Sequence, residues 1–516
     1  MAMNRLLKFP LVAKSYLAAG LSSMLGPAMI ASLSDDHHIA RTFFYCGLLV
    51  VVFAIILGIA TSNIPPQRSP FARLIELILI FVTLPVLLAV PLHFAIGPLD
   101  YIDVYFEMLS CLTTTGTSAL MTNPEFTNGL PVAVHFWRAQ VAWMGGLLIW
   151  LLAAEIMAPL GISGFELADQ RQESTNRLPA FLARISVAPV RAATSLSLSA
   201  IYIGLTFTLW LTLVILGEAP VSSLIAAFST LSTSGITESG GYSIAGNSLP
   251  AEVVIGMFLL LAISRLAVPA LRRGGEAFFG GFDREVYLAL LLVMTALLCS
   301  LFFNYQNLAA ARSWPEFATV AKSLWGTIFS TLSFLSTSGF QSLYWDKVTD
   351  SQPSEFLFLC LLGITLVGGG VATTAGGIKL MRVASIVRFS AGELGRLAHP
   401  SLITPETNSP RGMRGERGAL ACIFMILFLA MLALLVLSLS LFGIELEKSM
   451  VLAVAALSST GPLVDAATGT TFDYAELPAV VKLLLCVAMI AGRLELLALL
   501  ALVAPSVNRS TFGASS

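Results

Sequence analysis

Long apolar runs alternate with shorter ones along the whole chain, and this alternation predicts the architecture. A bilayer crossing takes about 20 predominantly apolar residues. Runs of that kind lie near 10–32 and 42–61, and then in pairs: 73–97 with 133–159, 195–217 with 249–270, 286–304 with 354–385, and 418–443 with 477–504. Inside each pair sits a shorter apolar stretch: Phe106 to Leu112, Leu224 to Leu231, Ile328 to Leu335 and Val451 to Leu457. A stretch of about 10 residues enters a membrane without crossing it. The pattern predicts an all-α integral membrane protein of about ten transmembrane helices. Two helices occupy 1–68, and units of helix, short re-entrant helix and helix occupy 69–165, 190–275, 284–390 and 418–508. A polar segment, 391–417, separates the last two units; several Arg and Pro400, Pro405 and Pro410 mark it as a loop. It reads equally as a plain linker or as a contact for a soluble regulator.

Each short stretch runs into the same phrase. The copies are Thr113-Thr114-Thr115-Gly116, Ser232-Thr233-Ser234-Gly235, Ser336-Thr337-Ser338-Gly339 and Ser458-Ser459-Thr460-Gly461. A hydroxyl-rich turn ending in glycine at membrane depth suits an ion filter. Backbone carbonyls replace the ion's water, and glycine permits the left-handed backbone that aims successive carbonyls at one axis. Small residues at ordinary helix–helix contacts could explain one copy. Repetition behind every short stretch favours the filter, which makes Thr114, Thr115, Gly116, Thr233, Ser234, Gly235, Thr337, Ser338, Gly339, Ser459, Thr460 and Gly461 the candidate ion ligands.

Composition agrees with a membrane protein: 56% of the 516 residues are hydrophobic and 11% charged, against about a quarter charged in soluble domains. The formal net charge of −1 implies no polyanion partner and no nucleic acid. The cysteines, at positions 46, 111, 299, 360, 422 and 486, lie in apolar segments without metal spacing and read as packing residues. The His37-His38 pair reads as a solvated loop. With ten spans and a cytoplasmic N-terminus, one side collects Arg68, Arg73, Arg171, Arg177, Arg184, Arg191, Arg272, Arg273, Arg284, Arg388, Arg396, Arg411, Arg414 and Arg417. This is the positive-inside bias, and it puts both termini in the cytoplasm. The phrases then face outward, together with acids that include Asp100, Asp103, Glu238, Glu252, Asp346, Glu445 and Asp465. Those acids either concentrate cations at a pore mouth or are merely solvated loop residues. Glu76 and Glu155 lie inside apolar spans without an evident role.

Two further stretches stand out. Gly368-Gly369-Gly370-Val371-Ala372-Thr373-Thr374-Ala375-Gly376-Gly377-Ile378-Lys379 sits inside a run that has to span. Each glycine costs a helix about 1 kcal/mol relative to alanine. Irregular backbone at that depth needs protein or water around it. The stretch predicts a loop that interrupts the helix beneath the filter and acts as a movable gate, formed by Gly368, Gly369, Gly370, Thr373, Thr374, Gly376 and Gly377 with Lys379. The last span holds Gly492-Arg493-Leu494-Glu495. A guanidinium there either faces a wet path and repels the permeating cation, or pairs with Glu495. Ser264-Arg265-Leu266 is a weaker echo in the second unit.

The stretch from Gly368 to Arg382 resembles the third-repeat hallmark of Trk-type potassium transporter membrane subunits. Trp137-Arg138 with Gln140, Trp143 and Gly145-Gly146 is similar to the second helix of their first repeat. Gly461-Pro462 and Gly492 to Leu496 are similar to their fourth. The resemblance covers about residues 10–505, and its motifs agree in order and spacing. Gly370 and Ala372-Thr373 depart from the family pattern, as does Ile263-Ser264.

The resemblance implies four pseudo-symmetric helix–pore-loop–helix repeats around one pore and potassium as the transported ion. It implies filter glycines at Gly116, Gly235, Gly339 and Gly461, a gate at Gly368 to Gly377 and a pore-facing Arg493. It also implies a homodimer in lipid and a cytosolic ring of nucleotide-binding regulatory subunits, at the bacterial inner membrane. Rival readings are an ion-coupled secondary transporter and the potassium-translocating subunit of an ATP-driven pump. No nucleophile–base or metal-ligand constellation suggests an enzyme.

Overall fold

The computed structural model describes residues 11–61, 70–97, 99–121, 129–153, 192–238, 248–263, 284–311, 317–370, 373–398, 411–469 and 472–494. Among them the regular elements are all helices. The N-terminal part comprises α1 (Leu11–Leu25), α2 (Pro27–Leu33) and α3 (His37–Thr61). α1 and α2 are one apolar run broken at Gly26-Pro27, where the proline removes a helix donor. The first unit is α4 (Pro70–Ile96), α5 (Tyr101–Leu112) and α6 (Val132–Leu152). The second is α7 (Ala192–Ile215), α8 (Pro220–Ser232) and α9 (Leu249–Ile263).

The third unit is longer: α10 (Arg284–Ala311), α11 (Phe317–Leu335), α12 (Trp345–Ser351), α13 (Ser354–Val367) and α14 (Leu380–Ala398). The fourth is α15 (Arg411–Leu441), α16 (Leu446–Ser458), α17 (Leu463–Thr468) and α18 (Ala479–Leu494). Where hydropathy marks one run over 354–385, the helix stops at Val367 and resumes at Leu380.

Hydropathy alone underestimates the third short helix. α11 has 19 residues, not about 10, because its first half is amphipathic. Thr327 donates to Ser300 Oγ at 3.2 Å, and Asn304 donates to Ser323 Oγ at 3.4 Å, so α10 satisfies the polar face. Six helical segments among the described residues are long and apolar enough to cross a membrane: Val12–Leu33, His37–Thr61, Ile75–Ile96, Ser197–Ile215, Tyr287–Gln306 and Ala421–Leu441. The second helix of each unit is not among them. The described parts of α9, α13 and α18 have 15, 14 and 16 residues, and α6 carries His135, Arg138 and Gln140. The polar residues of α6 are buried among protein: His135 and Arg138 are 4% and 2% exposed.

Packing among the inner helices closes on itself. α5 contacts α6 of its own unit and α18 of the fourth; α8 contacts α9 and α6; α11 contacts α13 and α9; α16 contacts α18 and α13. Each short helix is thus held between the second helix of its own unit and that of the unit before. Large side chains stiffen the frame on the N-terminal side, where fully buried Trp137 meets Phe43 edge-on, centroids 5.5 Å apart. Glu76, inside α4, accepts the Val12 amide at 3.4 Å. Glu155, Arg265 and Glu495 lie outside the described residues, as do Val371 and Ala372. So do the side chains of most bases assigned above to the cytoplasmic side; Arg388 is described and exposed on α14.

Candidate functional site

The repeated phrases share one backbone solution. In each, the second residue is left-handed: Thr114 at φ 54°, Thr233 at 53°, Thr337 at 59° and Ser459 at 55°. The next residue donates its amide to the carbonyl five residues back, ending the short helix. These bonds are Thr115 to Ser110 at 2.8 Å, Ser234 to Ser229 at 3.0 Å, Ser338 to Ser333 at 3.0 Å and Thr460 to Ala455 at 2.9 Å. A left-handed residue and this backward bond form the familiar stop at a helix C-terminus. Left-handed threonine is uncommon and strained, so the surroundings have to hold it. Hydroxyls contribute in the first three copies. Thr113 meets Thr115 at 2.9 Å, Ser232 meets Ser234 at 3.0 Å, and Ser336 meets Ser338 at 3.1 Å.

The terminal glycines are packed backbone to backbone, and their contacts run in a circle. A Cβ on Gly116 would overlap the Ser234 carbonyl oxygen, and one on Gly235 the Ser338 carbonyl oxygen. A Cβ on Gly339 would lie 2.9 Å from Pro462 Cβ. Gly461 closes the circle: its amide donates to the Thr115 carbonyl at 2.6 Å, and a Cβ there would lie 2.7 Å from the Gly116 carbonyl carbon. Gly116, Gly235 and Gly339 have φ of 80°, 68° and 77°. Gly461 lies outside that region, because the following Pro462 restricts it to extended backbone. The twelve candidate filter residues are thereby brought together.

The non-helical stretch between α13 and α14 lies against the same helix ends. The Gly376 amide donates to Thr337 Oγ1 at 2.8 Å, and a Cβ on Gly376 would overlap the Ser458 carbonyl oxygen. Thr374 Oγ1 donates to the Leu231 carbonyl at 3.2 Å and receives a bond from Thr233 Oγ1 at 3.1 Å. The other end is anchored to the second unit through the Gly370 amide and the Ala262 carbonyl, 3.0 Å. Gly368 and Gly377, at φ 71° and 78°, turn the chain back on itself, with Ile378 and Lys379 amides bonding Leu366 and Val367 carbonyls. Thr373 caps Gly370 at 2.8 Å, and Lys379 reaches the Ala375 carbonyl at 3.0 Å. Lys379 is itself left-handed, φ 81°.

Arg493 connects this stretch to the first unit. Its Nε donates to the Thr113 carbonyl, Nη1 to the Thr374 carbonyl, and Nη2 to Thr114 Oγ1 and, at 3.3 Å, to the Thr114 carbonyl. A planar fork of donors that stays charged when buried suits such a cluster of carbonyls. The candidate gate residues therefore meet the filter copies of all four units, directly or through Arg493.

Several contacts that hold the site are visible only in the structure. Gly145 abuts the Leu112 carbonyl in the first unit as Gly492 abuts the Leu457 carbonyl in the fourth. Glu107 is fully buried; its Oε1 pairs with Arg138 Nε at 2.5 Å and its Oε2 accepts the Ala119 amide at 2.9 Å. Three of the acids assigned above to solvated mouths are placed differently. Asp103 pairs with Lys482, which is buried and also donates to the Ala475 carbonyl at 2.9 Å. Glu252 is fully buried on α9 and accepts the Leu343 amide at 3.4 Å. Asp465 accepts the Phe472 amide at 2.8 Å, and burial pushes its pKa up to about 6. Asp100, Asp346, Glu445 and Glu447 remain exposed. Glu252 and Asp465 thus serve as acceptors for backbone amides that follow the third and fourth filter phrases.

The family described as TrkH, cation transport protein, matches residues 288–510. The Trk system potassium uptake protein TrkI of Halomonas elongata is 26% identical over 488 residues, 94% of each chain. Along most of its length the chain is similar to Trk-type potassium uptake proteins. Its relatives include the Trk system potassium uptake protein TrkH of Salmonella typhimurium, 27% identical over 431 residues and 82% of each chain. The crystal structure of the potassium transporter TrkH from Vibrio parahaemolyticus shares the fold, with a TM-score of 0.74 and 22% identity across 96% of this chain and 98% of that one. Relatives of this kind are transporters, not enzymes, and the apolar helices here support a multi-pass membrane protein.

Proposed function

We propose that this protein takes up potassium through a filter built from the four repeated phrases. The observation that carries the reading is the closed circle of contacts from Gly116 to Ser234, Gly235 to Ser338, Gly339 to Pro462 and Gly461 to Thr115. The four phrases repeat one left-handed turn side by side, and backbone carbonyls of such a ring can replace the water of a weakly hydrated ion. The names of the relatives, potassium uptake proteins, support the choice of ion. The stretch from Gly368 to Gly377 acts as the gate and Arg493 as its latch and as a fixed positive barrier. Opening then requires Thr374 to leave Arg493 and Gly376 to leave Thr337, which frees the path below the filter.

The same reading places the protein in the cytoplasmic membrane as a homodimer with both termini inside. Its partners are membrane lipid and a cytosolic ring of nucleotide-binding subunits, for which the polar 391–417 segment is the contact. The test is ion flux into liposomes, with and without a membrane potential. Potassium and rubidium are expected to enter well above sodium, and Gly116→Ser to shift the preference toward sodium. Equal entry of sodium and potassium through the unmodified protein would overturn the reading.

A further inference from the structure

The Glu107–Arg138 pair is an expensive way to hold two helices together. Both side chains are almost completely buried, at 0% and 2% exposure. Taking two ions out of water costs several kcal/mol each, and a buried pair can often be replaced by apolar side chains of similar size without loss of stability. Stability is thus a poor reason for such a pair, and geometry is a better one.

The geometry here is specific. Glu107 lies on α5, three residues before Ser110, whose carbonyl accepts the Thr115 amide that ends the helix. Its second oxygen holds the Ala119 amide, three residues beyond Gly116. One carboxylate therefore spans the first filter phrase, tying the helix before it to the strand after it. Between these ties, Ser110 Oγ donates to the Thr117 carbonyl at 2.9 Å and accepts from Thr117 Oγ1 at 2.6 Å. Arg138, on α6, holds the other carboxylate oxygen through a charge-assisted hydrogen bond.

We propose that Glu107, oriented by Arg138, is a positioning residue that sets the spacing of the Thr114, Thr115 and Gly116 carbonyls and with it the preference for potassium over sodium. The inference rests on the filter reading above. It assigns selectivity to a side chain that need not touch the ion. Carbonyl number, field and spacing govern which ion replaces its hydration shell at least loss, so loosening one strand of four degrades discrimination before it stops conduction.

The test uses the full-length protein in liposomes and reads the ratio of rubidium to sodium flux alongside thermal stability. In Glu107→Leu/Arg138→Met, apolar groups of similar length replace both ions and the Ala119 amide loses its acceptor. The variant is expected to fold and conduct, with its rubidium-to-sodium ratio reduced about fivefold or more, about 1 kcal/mol of discrimination. Glu107→Asp keeps the charge but is one methylene too short to hold both Arg138 and Ala119; a smaller loss of the ratio is expected. A merely structural pair would change stability and leave the ratio alone. A ratio within twofold of the unmodified protein, in either variant once folded, overturns the inference. If the double variant does not fold, Glu107→Asp decides. An unmodified protein without potassium preference would instead count against the filter reading itself.

Discussion

The first and fourth units solve one backbone problem with different side chains. Both end a short helix on a left-handed residue, Thr114 or Ser459, and both press a glycine of the second helix, Gly145 or Gly492, onto the last carbonyl-bearing turn. Beyond that they part. The first unit uses a left-handed Gly116 and the buried Glu107–Arg138 pair. The fourth uses Gly461 constrained by Pro462, and Asp465 on its own short helix α17. Next to its packing glycine the first unit has Gly146, facing Ser232 and the Tyr202 hydroxyl of the neighbouring unit, whereas the fourth has Arg493. The contrast teaches that the repeated element is the turn and its contacts, while each unit supplies its own means of holding them. Asymmetry around a repeated ring is a way to attach one latch to one gate.

The strongest way to break this comparison is to add a Cβ at the ring. In Gly116→Ala the new atom meets both the Ser234 carbonyl and a positive φ; in Gly461→Ala it meets the Thr115–Thr117 backbone without the positive φ. Both are expected to lose most potassium flux, by about a hundredfold for Gly116 and less for Gly461, given about 1–3 kcal/mol each for overpacking and for strain. Rubidium uptake per folded molecule measures this, and a larger loss at Gly461 would contradict the assignment of strain to the first unit.

Removing the latch is the next largest effect. Arg493→Ala is expected to raise flux about tenfold, the equivalent of about 1.4 kcal/mol, and Arg493→Lys to keep most of the restriction because the charge remains. Unchanged flux in Arg493→Ala would rule out the barrier. Deleting Gly369 to Thr374 should raise flux likewise without changing ion preference, read against protein abundance in the membrane.

The packing glycines sharpen the shared part of the comparison. Gly145→Ala and Gly492→Ala each drive a methyl into a helix-terminal carbonyl. Each should destabilise the protein by about 1–3 kcal/mol, to similar extents. Thermal melting in detergent reads this, and a large inequality between them would show that the two units do not carry equal loads.

The smallest expected effect concerns Asp465. Burial raises its pKa from 3.8 to about 6. A carboxylate raised by folding costs stability above its folded pKa, and the cost fades as pH falls toward the unfolded value. Asp465→Asn keeps an acceptor for the Phe472 amide, so it should stabilise the protein by about 2 kcal/mol at pH 8 and by almost nothing near pH 4. Melting curves across that range test the sign.

Much of the plan is readable in the chain alone. Apolar run length marks the N-terminal pair and the first helix of each unit as long enough to cross, because bilayer thickness sets the number. The repeated phrase marks the helix stops, because hydroxyls and glycine are what a left-handed turn at membrane depth requires. Clustered glycines mark the break after Val367, since helix propensity is local. Those properties depend on neighbours along the chain.

What the tertiary structure alone decides is which distant groups meet. Arg493 bonding Thr113 and Thr374, Glu107 meeting Arg138, and Lys482 reaching Asp103 join residues that lie from about thirty to several hundred positions apart. Sequence left Arg493 undecided between a barrier and a local pair, and left Asp103, Glu252 and Asp465 undecided between a cation-concentrating mouth and solvated loops. Charge and polarity say that a group needs a partner in a dry interior. Only the closed circle of helices determines which partner comes within reach.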